Sequence, residues 1–119
     1  MKILCERDVL IEAVNVVSRA ASGRSSLSVL EGIYMRASEN GELILIGNDL
    51  EIGIEAKIEA TVSEPGEVVL AAKMLGSIVR SLPMPQVSIE VNEKNMALMK
   101  SGAFKCEIAG ISAAEFPDW

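Results

Sequence analysis

The chain has 119 residues, half of them apolar, and a formal net charge of −6 with no histidine. That length and apolar content allow one domain with its own core and exclude disorder or dependence on a metal or disulfide. The apolar residues are mostly aliphatic, with one Trp, one Tyr and two Phe, which excludes an aromatic platform for stacking single-stranded nucleic acid. The acidic balance would ordinarily count against a nucleic-acid partner. Recognition, however, depends on where the cations lie rather than on their sum. Cys5 and Cys106 sit in apolar strand-like surroundings and are expected as buried thiols of a reducing compartment. No apolar run approaches the ~20 residues of a membrane span. No targeting peptide precedes the first strand, so a cytoplasmic location without a membrane partner is expected.

Residues 2–5 read as a short strand, followed by a helix over about residues 8–21. Asp8, Glu12, Asn15 and Arg19 fall on one stripe of that helix, and Leu10, Val14, Val17 and Ala21 on the opposite one. Gly23 is expected to stop the helix, with Arg24 in the corner after it. Two apolar runs, 29–37 and 42–47, flank Asn40-Gly41, a hairpin signal whose tight form needs positive φ at both central residues. A polar corner, Asn48-Asp49-Leu50-Glu51, follows. Residues 52–60 alternate strictly, with Ile52, Ile54, Ala56, Ile58 and Ala60 on the inward face. Ser63-Glu64-Pro65-Gly66 breaks the pattern as the only linker-like segment.

The order then recurs. Residues 67–70 read as a strand and residues 72–82 as a helix ended by Pro83. Its hydrated stripe carries Lys73, Ser77 and Arg80, and its apolar stripe Leu75, Ile78, Val79 and Leu82. Strands over 86–91, 96–100 and 104–109 complete the half, with turns at 92–95 and at Ser101-Gly102. Each half, about 1–62 and 66–119, is therefore βαβββ. Each has one helix and one small sheet with a single apolar face. Packing the halves about a pseudo-two-fold predicts an α+β domain, with two helices on one face and antiparallel sheets on the other.

Catalytic chemistry finds little support. The usual neutral-pH base is missing with histidine, and no glycine-rich loop has the spacing of a phosphate cradle. Asp49 and Glu51 could be imagined as metal ligands, but a turn aspartate and a solvated glutamate are the expected reading. Neither cysteine has a histidine or CxxC neighbour that would activate it. No catalytic residue, metal or cofactor is expected. Lys73, Arg80 and Arg24 could form a sparse basic surface if the helices lie side by side. Two or three phosphate contacts give a log-affinity slope of only about −2 to −3 against log salt. Such a domain could not hold DNA tightly by itself.

Several segments in order resemble the first domain of the bacterial DNA polymerase III beta-subunit family, the sliding clamps. They are Ser18-Arg19 with Gly23-Arg24, residues 27–30, Asn48-Asp49-Leu50-Glu51, Ala71-Ala72-Lys73, Lys100-Ser101-Gly102 and Ala113-Ala114-Glu115-Phe116-Pro117. The resemblance covers the whole chain and includes the doubled βαβββ plan. It implies one domain, the first of three, in a head-to-tail homodimeric ring. Duplex DNA passes through the ring, which tethers the replicative polymerase. DNA polymerase III and the clamp loader would bind through domains beyond this one.

By the same resemblance, Arg24 and Lys73 contact DNA, and Arg80 matches a further basic position. Ile78, Leu82, Cys106 and Ile108 occupy the subunit contact, with Lys105 facing the partner's acidic residues. Cys106 stands where a Phe can occur in the family. The competing readings are a small acidic protein–protein interaction scaffold without DNA binding, and a carboxylate enzyme. The clamp reading expects Arg24 and Lys73 on the same helix-bearing face, and the enzyme reading expects a deep pocket lined by Asp49, Glu51 or Cys5.

Overall fold

A computed structural model describes residues 1–21 and 31–117. Strand β1 (Lys2–Glu6) runs into helix α1 (Arg7–Val17), which buries Leu10, Ala13, Val14 and Val17 and exposes Asp8, Glu12 and Asn15. The regular helix ends at Val17 rather than at Ala21. Ser18 Oγ donates to the Val14 carbonyl at 2.6 Å, and the backbone then tightens into bonds from Arg19, Ala20 and Ala21 to carbonyls three residues back. The expected stop at Gly23 lies outside the described residues.

Strands β2 (Gly32–Ser38), β3 (Glu42–Asn48), β4 (Gly53–Glu59), β5 (Thr61–Glu64) and β6 (Gly66–Ala71) lead to helix α2 (Ala72–Ser81). Strands β7 (Gln86–Val91), β8 (Met96–Ser101) and β9 (Phe104–Ala109) follow, and a 3-10 turn (Ala113–Glu115) ends the described chain. The start expected for β2, at residues 29–30, lies outside the described residues.

The strands form two antiparallel sheets, ordered β5-β1-β7-β8-β9 and β4-β3-β2-β6. Each half lends its first strand to the other half's sheet: β1 pairs with β7, and β6 pairs with β2. Exchanging β1, β2, β3 and β4 for β6, β7, β8 and β9 therefore converts the common part of one sheet into the other. The equivalence extends to individual side chains. Ile33 and Met35 take the places of Val87 and Ile89, Leu45 that of Met99, and all are buried. Leu10, Val14 and Val17 of α1 match Leu75 and Val79 of α2 and Leu82 just after it. The helices pack side by side, and these residues join one continuous core with the inner faces of both sheets. Full burial of each large aliphatic side chain contributes about 1.5 to 3 kcal/mol.

Four local features depart from what the sequence suggested. In the β2–β3 hairpin, Ser38 pairs with Glu42, leaving a three-residue loop. Gly41 N donates to Ser38 O at 3.1 Å, and only Gly41 has positive φ, at 84°. The loop is thus a turn followed by a left-handed residue, rather than the two-residue form with both φ positive. Asn95, at φ 63°, fills the matching place between β7 and β8.

Residues 61–64 form strand β5, antiparallel to β1, so the supposed linker shrinks to Pro65. Ile52, expected inward, is 53% exposed because the corner at 49–52 turns the chain before β4 begins. Cys5 is buried but Cys106 only half-buried, because β9 is an edge strand; both are free thiols.

Candidate nucleic-acid interface

The face opposite the sheets is built by α1 and α2. Their apolar stripes anchor them in the core, so spacing alone decides what remains outside. On α1 the exposed side chains include Asp8, Glu12 and Asn15, with Arg19 just beyond the helix. On α2 they include Lys73, Ser77, Arg80 and Ser81. Among the described residues, neither Lys73 nor Arg80 has a carboxylate within ion-pair distance. The Arg80 guanidinium lies back along its own helix over Gly76, with Nη1 3.1 Å from where a Cβ would stand there. Arg80 near the C-terminus of α2 also suits the negative end of the helix dipole. The result is a thinly cationic surface on α2 beside a mixed one on α1. Arg24 lies outside the described residues, so its expected place beside Lys73 remains an expectation.

Arg7 begins α1. A cation in the first turn opposes the helix dipole, which is the signal that it serves another element. It is half-buried: Nη1 donates to Leu82 O at 3.2 Å, Nε to Asp8 Oδ1 at 3.0 Å, and its amide to Pro85 O at 2.7 Å. The start of α1 is thereby fastened to the end of α2, which fixes the helix pair as one surface.

The five residues expected at a subunit contact divide in two. Leu82 and Ile108 are each 3% exposed and belong to the core, so neither offers a free surface. Helical and strand periodicity point both of them inward in this domain, and their part in a subunit contact remains an expectation. Ile78 and Cys106 are half-buried against that core, and Lys105 is exposed. Lys105 and Cys106 lie on β9, the last strand of its sheet, whose outer edge pairs with no other strand among the described residues, and Ile78 lies on α2.

The residues proposed for an enzyme serve the fold. Asp49 Oδ1 accepts from the amides of Glu51 and Ile52 at 2.9 and 2.8 Å, and these bonds hold its carboxyl below the usual value. Burial, assisted by Glu6, pushes the Cys5 thiol up to about 11, so it stays protonated. Among the described residues no group of three or more His, Cys, Asp or Glu could hold a metal, and no helix is long and apolar enough to cross a membrane.

The family model described as "DNA polymerase III beta subunit, N-terminal domain" matches residues 1–119. The beta sliding clamp of Bacillus subtilis (strain 168) is 34% identical over 98% of this chain and 33% of its own length. The crystal structure of the DNA polymerase sliding clamp from Bacillus subtilis superposes with a TM-score of 0.96 at 34% identity, over all of this chain and 33% of that one. The DNA polymerase III subunit beta of Pseudomonas aeruginosa gives 0.92 at 27% identity, over 100% of this chain and 32% of its own. The chain thus spans about a third of the length of these relatives. With two helices on one face, two exchanged antiparallel sheets and a match along its whole length, the chain belongs to the DNA polymerase III beta-subunit family, as its N-terminal domain.

Proposed function

We propose that this domain is the first of three in a DNA polymerase processivity factor, a ring of two head-to-tail subunits that encircles duplex DNA. The observation that carries this reading is the pair of exposed cations, Lys73 and Arg80, without a carboxylate partner among the described residues, on the helix face of a domain that matches the beta-subunit family from end to end. Arg24 is proposed as a third contact on that face. So few phosphate contacts give weak binding with only a shallow salt dependence, and enclosure supplies the retention that they cannot. Weak contacts without base recognition also let the ring move along the duplex.

The role is non-catalytic and cytoplasmic. The domain positions DNA, while the polymerase and the clamp loader dock on the domains that follow in the relatives. The subunit contact is proposed at the open edge of β9, with Lys105 facing acidic residues of the partner and Ile78 and Cys106 alongside. Leu82 and Ile108 support that edge from within the core. The scaffold reading is disfavoured by the family match. Primer extension with the three-domain parent, its polymerase and its loader on a primed circular template tests the proposal. The parent is expected to lengthen the product made per binding event; products of unchanged length contradict it.

A further inference from the structure

The repeat breaks down after β9, and the break is built rather than frayed. In the first half the chain leaves β4 and adds strand β5 along β1, with Thr61 opposite Leu4. The matching bridge in the second half joins Ile111 to Val69 of β6. Ile111 N donates to Val69 O at 2.8 Å, and Val69 N donates to Ile111 O at 3.0 Å. From there the chain abandons the edge of β6 and crosses the outer face of the four-stranded sheet.

Ser112 caps the 3-10 turn through its side chain, which accepts from Ala114 N at 3.3 Å. Phe116 then stacks on Tyr34 with ring centroids 5.5 Å apart and planes 24° from parallel. Tyr34 Oη donates to Glu67 Oε2 on the neighbouring strand. Two of the chain's four aromatic residues therefore meet in this one contact. Val69, Tyr34, Ile111 and Phe116 form a small apolar cluster separate from the main core. At the root of the crossing, Gly110 donates its amide to Asn95 O at 2.8 Å, and a Cβ there would lie 2.7 Å from that oxygen and from Val68 Cγ2.

We propose that residues 110–117 are a fixed strap that sets the direction in which the chain leaves the domain, with Tyr34 and Phe116 as its fastening. Three anchors in succession, at Gly110, Ile111 and Phe116, leave the segment little freedom to swing. In the longer protein, the strap makes the angle to the following domain a property of this domain's outer face rather than of a loose linker; this second step rests on the clamp reading above.

Amide hydrogen exchange on the 119-residue chain tests the strap itself. Phe116→Ala is expected to speed exchange at Val69 and Ile111 about three- to tenfold while Leu45 and Met99 in the core stay unchanged. Tyr34→Phe keeps the ring and loses only the hydroxyl, so it leaves the core intact; about twofold faster exchange at Ile111 is expected. Unchanged exchange at Val69 and Ile111 in both variants overturns the proposal. In the three-domain parent, spin labels on α1 and on the following domain are expected to show a broader distance distribution in Phe116→Ala. An unaltered distribution overturns the orienting role. A parent that fails to form a ring sinks the clamp reading and leaves the exchange result standing.

Discussion

Gly47 and Ser101 occupy equivalent places in the two halves, on β3 and β8, and meet the end of a helix in different ways. A Cβ on Gly47 would lie 2.1 Å from the Val17 carbonyl oxygen, so the end of α1 rests directly on the β3 backbone. Ser101 instead bridges the chain after α2, accepting from Met84 N at 3.0 Å and donating to Met84 O at 3.1 Å. Gly47→Ala must push α1 away from the sheet and is expected to cost about 2 to 3 kcal/mol in urea unfolding; a loss near zero contradicts the close approach.

The corner at 48–52 carries a second local tension. Leu50 is 64% exposed and adopts φ 76°, a conformation that disfavours its side chain. It is held there because Leu50 N donates to Asn48 Oδ1 at 2.8 Å while Asp49 clasps the two amides beyond. Leu50→Gly is expected to raise stability by roughly 0.5 to 1 kcal/mol, read as a higher urea midpoint.

The Asp49 carboxyl titrates below its ordinary 3.8 because the folded corner stabilises its charged form. Its contribution is complete above that value and is lost as pH falls through the lower folded value. A carbon-13 titration of the Asp49 carboxyl should place its midpoint below 3.8, and a midpoint at or above it contradicts the clasp. The sequence marked this corner as polar, but not that a leucine would be its left-handed residue. Asn and Gly are the usual signals for that conformation, and here neighbouring side chains impose it.

Among the elements, both helices and most strands were legible because each buries one face of a regular period. Strand β5 was not: Thr61-Val62-Ser63-Glu64 has only one apolar residue, and its pairing with β1 is distant in sequence. The exchange of first strands between the halves was equally hidden, since alternation identifies a strand's faces and not its neighbours. The strap has no signature in the sequence, since Ser112, Ala113 and Ala114 carry no periodic signal; its meaning lies in what Phe116 meets. For the candidate site, exposed Lys73 and Arg80 were legible from spacing and Lys105 from the resemblance, whereas Leu82 and Ile108 satisfied both a core pattern and a contact pattern. In this domain both are buried in the core.

The equivalence of the halves makes its own prediction. Leu10 and Leu75 are both fully buried at matched helix positions. Leu10→Ala and Leu75→Ala are each expected to cost about 2 to 5 kcal/mol in urea unfolding. A negligible loss at either site contradicts a single core shared by both halves.

For the whole molecule, the difficulty is a net charge of −6 in a proposed DNA partner. The strands carry Glu55, Glu59, Glu64, Glu67, Glu90 and Glu107 alongside Lys2, Arg36, Lys57, Lys100 and Lys105, while Lys73 and Arg80 stand on the helix pair with Asp8 and Glu12. On the proposed reading, Lys73 and Arg80 draw a duplex toward the helix pair without holding it tightly. In the three-domain parent, Lys73→Glu with Arg80→Glu is expected to reduce the salt slope of DNA binding by about 2, one for each lost phosphate contact. An unchanged slope removes these residues from the interface.

Retention of the three-domain parent on DNA through a high-salt wash addresses the proposed enclosure most directly. After loading, the protein is expected to stay on a closed circle and to leave within the same wash once the circle is cut. Equal release from closed and cut DNA would contradict a ring, and with it the role assigned to this domain's two-helix face.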